Sequence, residues 1–176
     1  MKLIRPIQIT DTIVTSNSAV DAHANYNAGT TYAADAMVTH NLRYYKSLQA
    51  SNIGHTPGDT ASVAWWSDQG PSNRTAMYDG LVNTRTTATG TLTLVMTVPT
   101  AVNALSLINL AGVRTVTVTA TKDAVTVYSR TVDMWDTSLI TDWAEYFFSE
   151  KELRTELAWT DLPLVPGRVI TTVLTG

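Results

Sequence analysis

Apolar and polar side chains alternate through much of the second half of the chain. Thr91-Leu92-Thr93-Leu94-Val95-Met96-Thr97-Val98 and Arg114-Thr115-Val116-Thr117-Val118-Thr119-Ala120 carry the rhythm, and Ala124-Val125-Thr126-Val127-Tyr128-Ser129 and Arg168-Val169-Ile170-Thr171-Thr172-Val173-Leu174 repeat it. Successive side chains on an extended strand point to opposite faces, so this pattern predicts half-buried strands. Between them, Val102-Asn103-Ala104-Leu105-Ser106-Leu107-Ile108-Asn109-Leu110 sets Leu105 and Leu107 on one face and Ala104, Ser106 and Ile108 on the other. Strands spaced by roughly 8–12 residues predict an antiparallel sandwich or barrel. Only Ser149-Glu150-Lys151-Glu152-Leu153-Arg154-Thr155-Glu156-Leu157 has helical composition, and it predicts a short helical turn capped by Ser149.

The first half reads differently. Residues 1–23 show no period. Leu3-Ile4-Arg5-Pro6-Ile7-Gln8-Ile9 suits a short edge strand, since Pro6 cannot donate to a central ladder, and 11–21 suits a loop or an arm that packs on a neighbouring subunit. Residues 24–71 gather Tyr26, Tyr32, Tyr44, Tyr45, Trp65 and Trp66, half of the twelve Trp and Tyr residues. Turn signals at Asn27-Ala28-Gly29 and His40-Asn41 separate short apolar runs, which predicts a small β unit. The expected fold class is therefore all-β: this aromatic-rich module, then an antiparallel β-sandwich over 72–176.

Composition sharpens the picture. Thirty threonines favour pleated strands, because a β-branched side chain is stiff at χ1 and packs well on a sheet. With no cysteine there are no disulfides and no thiolate chemistry. The net charge of −3 and scattered Lys and Arg lack the basic footprint of a nucleic-acid binder. No apolar run is long enough for a membrane helix, and Met1-Lys2-Leu3-Ile4-Arg5-Pro6 does not lead into a secretory h-region. These features point to a protein made in the cytoplasm, without membrane insertion.

Candidate chemistry is sparse. His23, His40 and His55 lie in expected loops without metal-ligand spacing, and no nucleophile elbow or phosphate-binding loop is present. Asp133, Asp136 and Asp142 flank Trp135 and Trp143; two such carboxylates serve glycosidases, but a loop leading into a core strand, with Trp143, Tyr146 and Phe148 partly buried, is the favoured reading. Trp135 is retained as a protein or sugar contact. Asp79, with Asn83 and Thr84, is the single candidate for a structural Ca²⁺, set against an Asp-Gly turn. Asn73-Arg74-Thr75 matches a glycosylation sequon and reads as accidental. No catalytic residue, resident metal or cofactor is expected. Ring stacking on a sugar would use Tyr44, Tyr45, Trp65 or Trp66, with Gln49 and Asn52 supplying polar edges, although a small module needs most of these rings for its core.

Tyr26, Gly29, Tyr32, Met37-Val38, Tyr45-Lys46, Gly54, Pro57 and Trp65 or Trp66 stand in the order found in chitin-binding-type carbohydrate-binding modules, which 24–71 resembles. Where such modules carry an exposed aromatic pair, this chain has Ser47-Leu48-Gln49-Ala50. Residues 72–176 resemble a galactose-binding-like (discoidin-type) jelly roll, through Asn73-Arg74-Thr75-Ala76-Met77-Tyr78-Asp79-Gly80-Leu81-Val82-Asn83-Thr84 and the 102–110 run before a Val-Thr-Val-Thr strand. The combination is similar to a family of phage tail-associated proteins. That resemblance implies a virion structural component made in the bacterial host, docked to other tail proteins and present in several copies. The alternative it implies is an adhesin module for host-surface polysaccharide.

Overall fold

The computed structural model describes residues 7, 9, 12–78, 84–136, 140–148 and 152–176. Within them the chain is nearly all β and forms two compact units, one of Ala19–Thr87 and one of Met1–Ser18 with Ala88–Gly176. The strands are β1 (Val14–Asn17), β2 (Met37–His40), β3 (Arg43–Ser47), β4 (Trp66–Pro71), β5 (Thr91–Val98), β6 (Leu105–Leu107), β7 (Thr115–Lys122), β8 (Val125–Asp133), β9 (Leu157–Trp159) and β10 (Arg168–Thr175). One short helix, α1 (Trp143–Phe148), lies between β8 and β9. No helix among the described residues is long and apolar enough to cross a membrane.

The larger unit is built on a five-stranded antiparallel sheet in the order β1-β5-β10-β7-β8. Leu94, Met96 and Val98, then Ile170 and Thr172, then Val116, Val118 and Ala120 fill one face and are buried. The paired strands β6 and β9 and the segments beside them cover that face, adding Trp159 and Leu162. Arg168, wholly buried in β10, ties the layers together by donating to the carbonyls of Val102 and Pro163. Burial pulls its guanidinium below the usual arginine range. The opposite face presents a threonine array. Thr119 stands opposite Thr171, Thr115 opposite Thr175, and the Thr117 and Thr131 hydroxyls meet at 2.9 Å.

Three sequence expectations change here. An edge strand does form near the N-terminus, but it is β1, within the stretch read as loop; the Leu3 to Ile9 candidate lies largely outside the described residues. Four residues of Val-Thr-Ser-Asn at a sheet edge are too few to show a period. The helix sits at Trp143–Phe148 rather than over 149–157, where 149–151 lie outside the described residues and 157 already opens β9. Ala124, read as the start of a strand, is a turn residue. With Asp123 it makes a two-residue hairpin loop at φ 50° and 63°, the left-handed geometry that matches strand twist and favours Asn-Gly.

The smaller unit packs β2-β3-β4 around Val38, Tyr45 and Trp66, with Tyr26, Tyr32 and Trp65 against them. Tyr32 meets Trp66 edge-on at 5.3 Å, Tyr26 stacks on Tyr32, and the Trp66 indole N–H donates to the His55 carbonyl at 2.6 Å. Gly58 is required twice over, since its φ is 86° and a Cβ would meet the Tyr45 hydroxyl at 2.9 Å. The unit continues past the expected boundary at 71 as far as Thr87. Asn73 explains the extension: its carboxamide donates to the Val20 and Thr87 carbonyls and accepts from the Thr87 amide. A sequon asparagine used this way has no free amide for a glycan. In chain order, then, the module is inserted between β1 and β5.

Two outcomes are expected. Ala124→Gly removes the left-handed strain at an exposed turn and raises stability by about 0.5–1 kcal/mol, read as a shifted denaturation midpoint at unchanged slope. Trp66→Ala strips the small core, costs about 3–5 kcal/mol, and abolishes slow amide exchange across β2–β4.

Candidate docking site

Of the residues expected to touch a ligand, most are structural. Tyr45 and Trp66 are core, and Asn52 is fully buried, donating to the Ser47 hydroxyl at 3.0 Å. These three present no surface to a sugar, which corrects that expectation: the module has no other bulky material to fold around. The Tyr44 hydroxyl accepts from the Ala22 and Asn73 amides, and the Gln49 carboxamide donates to the Ala64 carbonyl. Trp65 is half-buried and stacks on His55 at 3.9 Å. Leu48, in the place of the expected stacking pair, is exposed and aliphatic. Trp135 belongs to the other unit. Asp79 lies outside the described residues, and among those described no group of three or more His, Asp or Glu could hold a metal.

Among the described residues, the most exposed group of large apolar side chains lies beyond Trp135. Asp136 N–H donates to the Glu152 carbonyl and Arg154 N–H to the Met134 carbonyl, at 2.8 and 2.7 Å, with Trp135 bridging Leu153. Residues 134–136 and 152–154 therefore form an antiparallel neck. Met134 roots it: the side chain is fully buried, and its amide donates to the Arg114 carbonyl just before β7. Between the two arms lie residues 137–151 in sequence, of which 140–148 are described and carry α1.

The helix is held by its own first turn. Asp142 caps it, accepting from the Glu145 amide at 2.8 Å, and Glu145 reaches back to the Thr141 amide and hydroxyl at 2.6 and 2.7 Å. The bond from the Thr141 amide, then that from its hydroxyl, hold the Glu145 carboxyl below its ordinary value. The sequence carries this signal in Asp142-Trp143-Ala144-Glu145, a capping-box spacing that Ser149 to Glu152 also shows. Spacing alone cannot choose between two neighbouring boxes.

No residue of α1 is buried. Trp143 is 77% exposed, Phe147 68% and Phe148 89%, with Tyr146 at 47%. The expectation of a partly buried segment is thus corrected. Trp143, Tyr146 and Phe147 fall three and four residues apart, so they form one stripe: Trp143 to Phe147 at 6.0 Å, Tyr146 to Phe147 at 5.3 Å. Together the four rings leave on the order of 500 Å² of aromatic surface open, the size of a functional patch. Covering it releases about 12 kcal/mol of gross transfer free energy, enough to drive association against a cost of about 4–15 kcal/mol. The carboxylates once weighed as a catalytic pair have other work: Asp142 caps the helix, and Asp136 lies 4.0 Å from Arg154 across the neck.

No known family, curated protein or solved structure matches the chain. The functional reading therefore stands on the residues and their geometry.

Because the folded Glu145 carboxyl titrates below its ordinary 4.5, its support of α1 is complete above that pH and is lost as pH falls through the lowered value. Exchange of the Glu145 and Tyr146 amides should accelerate over that window in the native chain. In Glu145→Ala it should be fast at every pH, with the sandwich unaffected.

Proposed function

We propose that this chain is a structural component of a bacteriophage tail or its distal tip and acts by docking onto other proteins. It is made in the bacterial cytoplasm and carried in the virion in several copies, with its second unit a galactose-binding-like sandwich. The observation that carries the proposal is the exposed helix α1 with its four rings open to solvent. Such a display costs solubility in a free chain and is useful in an assembled one. The threonine-lined sheet face and the order of motifs along the chain support the same reading, and catalysis has no part in it.

A host-surface glycan adhesin is the second reading. The half-buried Trp65–His55 stack, next in sequence to the carbonyl that Gln49 binds, favours it. Trp65→Ala is the suitable probe, because Trp66→Ala would remove the core.

Electron microscopy of purified particles carrying a labelled chain tests the leading proposal. Density at the tail is expected, and particles lacking the chain would refute it. Trp143→Ala/Phe147→Ala should fold normally and enter particles about tenfold less well.

A further inference from the structure

The docking reading leaves open what the aromatic helix docks into, and its ring geometry and charge narrow the choice. Sugar recognition uses flat aromatic platforms with polar groups at their edge. Here Trp143 and Tyr146 cross at 72°, and Tyr146 and Phe147 at 90°. Trp143 and Phe147, near-parallel at 21°, face each other instead of forming a shared plane. Phe147 and Phe148 offer no polar edge to a hydroxyl. This is a knob, the shape that fills a pocket.

Charge decides what surrounds the pocket. Residues 133–156 hold seven carboxylates against Lys151 and Arg154, a net of −5, more than the −3 of the entire chain. An anionic bilayer would repel such a segment. A second copy would bring the same −5 to a knob-to-knob contact. Among the described residues a second copy also has little basic rim to offer: Arg43, Lys46, Arg74, Lys122 and Arg130 each lie within 4.0 Å of a carboxylate of their own unit, Arg168 is interior, and outside the acidic segment this leaves only Arg85 in one unit and Arg114 in the other. Complementarity across an interface requires the opposite sign at the rim and an apolar floor beneath the rings. Resting on the docking reading above, we infer that the Trp143–Phe148 knob plugs an apolar pocket rimmed by Lys and Arg on a different protein.

A photo-crosslinking residue at Phe148, the most exposed ring, would report the occupant in cells producing the full-length chain. The adduct should contain a different protein. That protein, purified, should bind the native chain with an affinity that falls steeply with salt. Trp143→Ala should weaken it about tenfold or more, and Glu152→Gln/Glu156→Gln, which leaves the rings and the helix cap in place, several-fold. Adducts only with the chain itself, with polysaccharide or with lipid would overturn the inference, as would binding indifferent to salt and to the glutamate changes. Retention on vesicles of phosphatidylcholine and phosphatidylglycerol would do the same. The two readings fail separately. Particles that contain the chain but yield no adduct sink the pocket and leave the tail assignment standing. A salt-sensitive partner found for a chain missing from particles does the reverse.

Discussion

Antiparallel pairing of β5, β10 and β7 sets what the rest of the chain can do. Every second side chain turns to one face, so three eight-residue strands give the core only short ranks of Leu, Met, Val, Ala and Ile. A second layer must close over those ranks, and it is thin: two three-residue strands and the turns beside them. Arg168 is placed where that layer needs fastening. Its guanidinium spans two carbonyls of the covering segments from inside the sheet, and removing a partner of that kind leaves buried acceptors unmet, worth about 1–3 kcal/mol each.

That core takes Trp159 and none of the rings of α1, so aromatic side chains meet two fates. In the smaller unit Tyr45 and Trp66 are the core, since a short stretch without disulfides must bury large aromatics to hold together. In the larger unit the rings of α1 stay outside, on a helix too short to be stable through propensity. Their order comes instead from the cap made by Asp142 and Glu145. A capped helical turn loses less freedom on docking than an uncapped one, so more of its aromatic surface counts toward affinity.

Polar side chains are likewise committed to architecture. Asn73 closes the smaller unit on itself, and Arg43 grips Asp68 with two bonds of 2.8 and 3.0 Å. Partial burial pushes the Asp68 carboxyl up, but Arg43 and the Gly70 amide outweigh it and hold it below its ordinary value. At exposed positions such a pair is worth less than about 1 kcal/mol. It fixes the register of β3 on β4 more than it stabilises.

The strands of the sandwich were legible in the sequence because period two is a local property: Thr91 to Val98, Thr115 to Ala120 and Arg168 to Leu174 needed no partner to declare themselves. The glycine at 58 and the turn at Asn41 are local in the same way. β1 was not legible, because its identity comes from the β5 edge it pairs with. The extent of the smaller unit was hidden too, since Asn73 acts through Val20, 53 positions away, and Thr87, 14 away. Trp143, Tyr146 and Phe148, expected partly buried, are exposed. An aromatic stripe has the same spacing whether it faces a core or solvent. Only the tertiary structure, in which no residue of α1 is buried, decides between them.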